Sequence, residues 1–216
     1  MNILSTLKDA TSSRHASLEY CLPLLDMHLS NDVYKKLLQK FFAFYAPLEL
    51  RLLAQHGDAH HHFDYATRKK TPLLMQDLVA LNVAPSALVA ASRSTVLPDL
   101  SNLAQSWGCL YVIEGATLGG QIISRHLRAQ LGLDVTTGAA FFNGYGAQTG
   151  TYWKSFCAAL SDQAMRYGDT DQIVLGALQT FDTLHACLML PPVALPVVIS
   201  SLQRSGADTH HTAKSQ

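Results

Sequence analysis

An excess of charge of either sign is missing from this chain of 216 residues: 16 basic side chains face 16 acidic ones. That balance excludes the broad positive footprint of a nucleic-acid binder, although local patches survive because net charge averages over faces. Long apolar runs are missing too, and nothing approaches the roughly 20 residues that cross a bilayer. The most apolar stretch, 188–202, is broken by Pro191, Pro192 and Pro196 and reads as a buried connector or a short last helix. The N-terminal residues contain no apolar core of the signal-peptide kind, so a cytoplasmic protein is expected. Cysteine is sparse. Cys21, Cys109, Cys157 and Cys187 are far apart and form no CxxC pair, which favours small core residues over metal or disulfide use. A glycine-rich dinucleotide-binding motif is also lacking, so any electrons the chain uses come from a separate donor.

What is present is apolar material at helical spacing, 48% of the residues, with no strand-like alternation. The spacing predicts helices over Leu4–Cys21 and from a Ser30 or Asn31 cap through Val33, Leu37, Leu38, Phe41, Phe42 and Tyr45, with a kink at Pro47. A polar, His-rich loop is expected from Gln55 to Lys70. A helix then opens at Thr71-Pro72, and a short one lies near Ser86–Arg93. A long helix over Leu100–Leu131 would be capped by Asp99 and closed by Gly132. A structured loop, 133–150, leads to helices over Thr151–Tyr167 and Asp169–Leu190, and the tail after Arg204 is polar. The chain reads as one all-α domain over residues 1–190, with 191–216 a C-terminal segment whose last part is loose.

Two local patterns carry chemistry. Gly115, Gly119 and Gly120 sit inside the long helix, where each glycine costs about 1 kcal/mol relative to alanine. Gly115 and Gly119 share a face, so something comes close to the helix backbone there. Either another helix packs tightly or a flat ligand lies against it. The second pattern is His15 with Glu19 four residues on. A carboxylate there can hold one ring nitrogen and turn the other outward, as behind a metal-ligating histidine, or the pair is a surface hydrogen bond. One protein histidine suits haem iron, whose porphyrin supplies the in-plane ligands. His56, His60, His61 and His62 form a loop cluster that is either solvated or a transition-metal site.

Together these pieces resemble bacterial haem (heme) oxygenases, including the bacteriophytochrome-associated type. The resemblance runs from Leu7-Lys8-Asp9-Ala10-Thr11 with Arg14-His15 and Leu18-Glu19, through Phe42-Ala43-Phe44-Tyr45-Ala46-Pro47-Leu48-Glu49. It is strongest over Leu110-Tyr111-Val112-Ile113-Glu114-Gly115-Ala116-Thr117-Leu118-Gly119-Gly120-Gln121. Phe141 to Gly146, Trp153 to Phe156 and Phe181 to Leu188 follow in order, so that about residues 4–190 are covered.

The resemblance implies a helical bundle that holds haem between a proximal and a kinked distal helix. His15 would be the proximal iron ligand, Glu19 its orienting partner, and Gly115, Gly119 and Gly120 the distal face. Lys8 and Tyr111 would reach the propionates, with Arg125 and Lys154 as further basic contacts and Phe142 and Phe181 as apolar ones. It also implies haem b as substrate and cofactor, O2, and a reductase or ferredoxin-type electron donor. Haem would be cleaved to biliverdin, ferrous iron and CO, with the α-meso edge favoured by Lys8, and a bacteriophytochrome is one receiver of the biliverdin. The chain departs from the family at Ala116, where some members carry a distal aspartate. Three rivals stay open: a non-catalytic haem-binding or storage protein of the same fold, a thiamin-degrading relative, and a helical interaction domain.

Overall fold

The computed structural model describes residues 2–56, 63–84, 88 and 95–189. Within them lie seven α-helices, α1 Ile3–Cys21, α2 Asn31–His56, α3 Thr71–Ala80, α4 Leu103–Leu131, α5 Ala140–Asn143, α6 Thr149–Tyr167 and α7 Thr170–Met189, and three short 3-10 turns. Among the described residues there is no strand, as the sequence pattern predicts. The expected helix near Ser86–Arg93 and the segment after Met189 lie outside the described residues, Leu88 excepted.

The helix ends follow from local chemistry. Asn2 caps α1 by accepting from the Leu4 amide at 3.0 Å, and the chain leaves α1 in extended conformation before Pro23. Ser30 accepts from the Val33 amide at the start of α2. Pro47 stands inside α2, which nevertheless runs unbroken to His56. The expected cap Asp99 is not the one used. Asn102 accepts from the Gln105 amide at 2.9 Å, and the Gln105 carboxamide reaches back to the Ser101 amide, so α4 starts three residues later. Gly132, with φ 68°, closes α4 as expected, and Gly168 does the same for α6.

Helix α7 is the shared neighbour: it packs most extensively on α4 and also on α1 and α2. Two glycines that the motif analysis did not single out make the α4–α7 crossing possible. A methyl group on Gly108 would collide with the Ile173 carbonyl, and one on Gly176 with the Gln105 backbone. The two backbones therefore touch directly, with Cys109, Ala177 and Thr180 buried beside the crossing. Along α1 the buried stripe is Ile3, Leu7 and Thr11, and it ends there. Beyond Thr11 the same face of α1 borders open space rather than another helix.

The described parts of the 55–70 segment, residues 55–56 and 63–70, are more buried than the expected polar loop. His56 is the last residue of α2 and is buried beside Ser106 and Trp107. Phe63, Tyr65, Arg68 and Lys70 are also buried. His60, His61 and His62 lie outside the described residues, and among the described residues no group of three His, Cys, Asp or Glu side chains could hold a metal. The cysteines are unpaired, but only Cys109 is a true core residue, and Cys21 is exposed.

Candidate active site

The open space beyond Thr11 is a cavity of about 460 Å³, in the size range of small-molecule sites. Helix α1 supplies one wall. Lys8, Thr11, His15 and Leu18 recur at intervals of three and four residues, so they form one stripe along it. Helix α4 supplies the opposite wall with Tyr111, Gly115, Ala116, Gly119, Gly120 and Ile123. Phe181 and Leu184 of α7 and Phe141 and Phe142 of α5 close the remaining sides, and most of the lining is apolar.

His15 presents Nδ1 to Glu19 Oε2 at 3.4 Å, a loose contact between two exposed side chains. Its ring packs edge-on against Phe181 at 5.9 Å between centroids. With Nδ1 facing the carboxylate, Nε2 is the nitrogen left for coordination. Next to it, Arg14 donates to Asp182 at 2.7 Å and ties α1 to α7.

The three motif glycines have different neighbours. A methyl group on Gly119 would meet nothing within 4 Å, and one on Gly115 would only touch the Trp153 ring at 3.7 Å. These two glycines leave the cavity wall bare, which is the ligand reading of the strip. Gly120 is different, because a methyl group there would strike the Phe142 carbonyl oxygen. Its bareness serves tight packing of α5 on α4, although it also borders the cavity. Tyr111, at one end of the strip, is half-buried, and burial raises its hydroxyl above the usual tyrosine range, with the neighbouring Thr11 hydroxyl of α1 opposing that shift.

Behind the glycine wall lies a polar cluster that sequence reasoning missed. Lys70 is 2% exposed, borders the cavity, and donates to Glu114 Oε1, the Arg68 carbonyl and the Tyr145 hydroxyl at 2.6–2.7 Å. Arg68 donates to Glu114 Oε2 at 2.7 Å and to Ser155 at 2.8 Å, and its guanidinium lies over Phe63 and Tyr152. Tyr145 gives its proton to Glu114 and stacks on Tyr152. Behind them, Glu49 accepts from Tyr65 and from the backbone amides of Lys70 and Thr71. Burial pushes the Lys70 ammonium below its ordinary range, and the Glu114 charge opposes that shift. Glu114 itself is not on the wall. Lys70 is the member of this cluster that reaches the cavity lining, which it shares with Ala116.

Of the residues expected from sequence, Lys8, His15, Glu19, Tyr111, Gly115, Gly119, Gly120, Phe142 and Phe181 all line this one cavity. Arg125 and Lys154 do not. Both are exposed and off the wall: α4 leaves the cavity after Ile123, and Lys154 is turned outward by its position next to the wall residue Trp153. The signal that could have found Lys70 is the aromatic and basic alternation of Phe63, Tyr65, Arg68 and Lys70, which is unusual for a solvated loop.

Comparison with known proteins gives the same assignment. The heme oxygenase family model matches residues 1–189. A heme oxygenase of Xanthomonas campestris pv. campestris is 29% identical over 166 residues, which is 74% of this chain and 92% of that protein. Among solved structures, the NO- and CO-bound heme oxygenase of Neisseria meningitidis has a TM-score of 0.72 at 21% identity, covering 87% of this chain and 90% of that one. The heme oxygenase of Leptospira interrogans has a TM-score of 0.69 at 17% identity over 87% and 98%. Heme oxygenase-1 of the cyanobacterium Synechocystis, solved in complex with heme, has a TM-score of 0.64 at 18% identity over 87% and 91%. A single cavity that holds a histidine on one helix and a bare glycine face on the facing one, in a chain matched by that family model almost throughout, places the protein in the heme oxygenase family, as a haem-degrading enzyme.

Proposed function

We propose that haem lies in this cavity with His15 as its iron ligand and is opened to biliverdin, ferrous iron and CO, by O2 and electrons from a separate donor protein. The observation that carries the reading is the asymmetry of the two walls. The α1 wall offers an imidazole, and the facing α4 wall offers glycine backbone with no imidazole or carboxylate. The residues fit the ligand. The cavity is flanked by apolar side chains, the Gly119 position leaves room at van der Waals range, and Lys8 and Tyr111 offer an ammonium and a hydroxyl to an anionic edge.

When bound, haem supplies the iron at which O2 is activated. The chain supplies the rest. His15, a neutral ligand held from behind by Glu19, binds without the strong electron push of a thiolate. Gly115 and Gly119 let the substrate face approach the backbone and leave room for ordered water. No acid or imidazole stands there to cut the O–O bond early, as a peroxidase's distal groups do. Lys70 Nζ holds a proton behind this wall and is linked through Tyr145 and Glu114 in one hydrogen-bonded cluster. Lys8 at the α1 edge supports seating that presents the α-meso position.

The test is a hemin titration of the purified protein followed by ascorbate or a ferredoxin system in air, with His15→Ala in parallel. A histidine-ligated Soret spectrum that bleaches into a biliverdin band, and that does not form normally in H15A, is the expected result. A complex that binds haem and never turns over would instead make the protein a carrier. A product other than the α isomer would overturn the regiochemistry alone.

A further inference from the structure

Asp77 is fully buried in α3, and among the described residues no arginine, lysine or histidine shifts its carboxyl. Tyr34 of α2 is a titratable neighbour, and its hydroxyl donates to the Gly138 carbonyl at 2.7 Å. The Asp77 carboxylate uses both oxygens on another segment: Oδ1 accepts from the Ala140 amide at 2.7 Å, and Oδ2 from the Phe141 amide at 2.8 Å. These are the first two amides of α5, a helix whose own cap position, Ala139, has no side chain to offer. Asp77 is therefore a cap delivered from a different helix.

A capping Ser at position 139, itself buried, would satisfy one of these amides from within the segment and without burying a charge. Burying a carboxylate with no cation is costly, and burial raises the Asp77 carboxyl to about 6. What the distant cap adds over a local one is a tie between α3 and the 133–145 segment. Other contacts make the same tie. Gln76 donates to the Val135 carbonyl at 2.7 Å, and Gly138, at φ 135°, packs against Leu81 at 3.1 Å from an added methyl. On the far side, Gln121 of α4 donates to the Asn143 carbonyl at 2.7 Å, and Gly120 admits the Phe142 carbonyl. The residues gripped in the middle, Phe141 and Phe142, are one wall of the cavity.

We propose that Asp77 is a positioning residue that sets the Phe141–Phe142 wall and so fixes how the substrate ring is rotated in the cavity, and with it which meso edge is cleaved. This rests on haem being the occupant, as proposed above. The carboxylate grips two consecutive amides at once, which defines both the place and the direction of α5. A ring filling the cavity meets the aromatic pair wherever the carboxylate holds it. Releasing one amide lets the wall shift while the rest of the bundle stays packed.

The experiment compares wild type with Asp77→Asn, which keeps one acceptor, and Asp77→Ala, which keeps none. Three quantities are read: the paramagnetically shifted haem-methyl proton spectrum of the ferric complex, the biliverdin isomers by chromatography, and haem release to an acceptor protein. Expected are one seating and one main isomer in wild type. D77N should show two sets of methyl signals, a mixed product and release faster by about tenfold, the factor equal to one hydrogen bond to a charged group. D77A should go further in the same direction. If D77A does not fold, D77N with its retained acceptor decides the matter. A D77N protein that melts earlier but keeps one methyl pattern and one isomer would overturn the proposal and leave Asp77 a purely structural cap. The methyl spectrum needs no turnover, so a wild type that binds haem without cleaving it removes the functional reading while leaving this one decidable. Failure of wild type to bind hemin at all overturns both.

Discussion

Glu114 shows how much one side chain can organise when burial removes water as a competitor. Its two oxygens serve Arg68, Lys70 and Tyr145 at 2.7–3.1 Å, and it is the counter-charge for two buried cations. The two ends of the pair are therefore unequal. Removing Lys70 leaves Glu114 still paired with Arg68, whereas removing Glu114 leaves two cations in the interior facing each other. Glu114→Leu should lose about 3–5 kcal/mol, the cost of an uncompensated buried charge. Lys70→Met should lose less, about 1–3 kcal/mol. Urea denaturation of both variants checks the order, and an E114L no worse than K70M would contradict this account of the cluster. In the sequence, Glu114 stood out because it belongs to the glycine motif. Lys70 did not, because its partner lies on another helix and nothing local marks the pairing. His15 and Glu19 were legible for the opposite reason: one helical turn brings them together by itself.

At the scale of the helix, glycine has two opposite uses in this chain. Gly108 and Gly176 are bare because backbone from the crossing helix occupies the space. Gly119 is bare and the space beside it is open. Alanine should separate the two uses by sign. Gly108→Ala and Gly176→Ala overpack the α4–α7 crossing and should cost about 1–3 kcal/mol or more, close to 2–4 °C in Tm per kcal/mol. Gly119→Ala should instead raise the stability of the haem-free protein by up to about 1 kcal/mol through helix propensity, while weakening haem binding by placing a methyl group in the cavity. Thermal melts of the free proteins and hemin titrations measure the two effects. Spacing in sequence drew attention to Gly115, Gly119 and Gly120 as a strip and left helix packing and ligand contact both open, with packing ahead. The structure divides them: Gly115 and Gly119 face the cavity, and Gly120 packs on α5. Gly108 and Gly176 were not legible, since each is an isolated glycine until α4 and α7 cross.

For the molecule as a whole, the buried Asp77 makes stability depend on pH in an unusual direction. A carboxyl whose folded value is raised to about 6 from 3.8 binds its proton more tightly in the folded state. Its contribution to stability is fully present below about pH 4 and is lost as the pH rises through about 6. D77N has no such proton to lose. Relative to D77N, wild type should therefore lose ground between pH 4.5 and 7, as measured by denaturant unfolding across that range; a constant difference would mean that Asp77 ionises without penalty.

The sequence by itself determined the class of the fold, most helix boundaries and the motif residues of the two facing helices. Those depend on interactions within one turn or on periodicity along one segment, which the order of residues states directly. Only the tertiary structure decided that His56, Phe63, Tyr65, Arg68 and Lys70 are interior, that Lys70 answers Glu114, that Asp77 caps a helix from a distance, and that Arg125 and Lys154 stand off the cavity. Each of these depends on which residues distant in sequence share one place from which water is excluded, and that place exists only once α1, α4 and α5 have been set around α7 and α3.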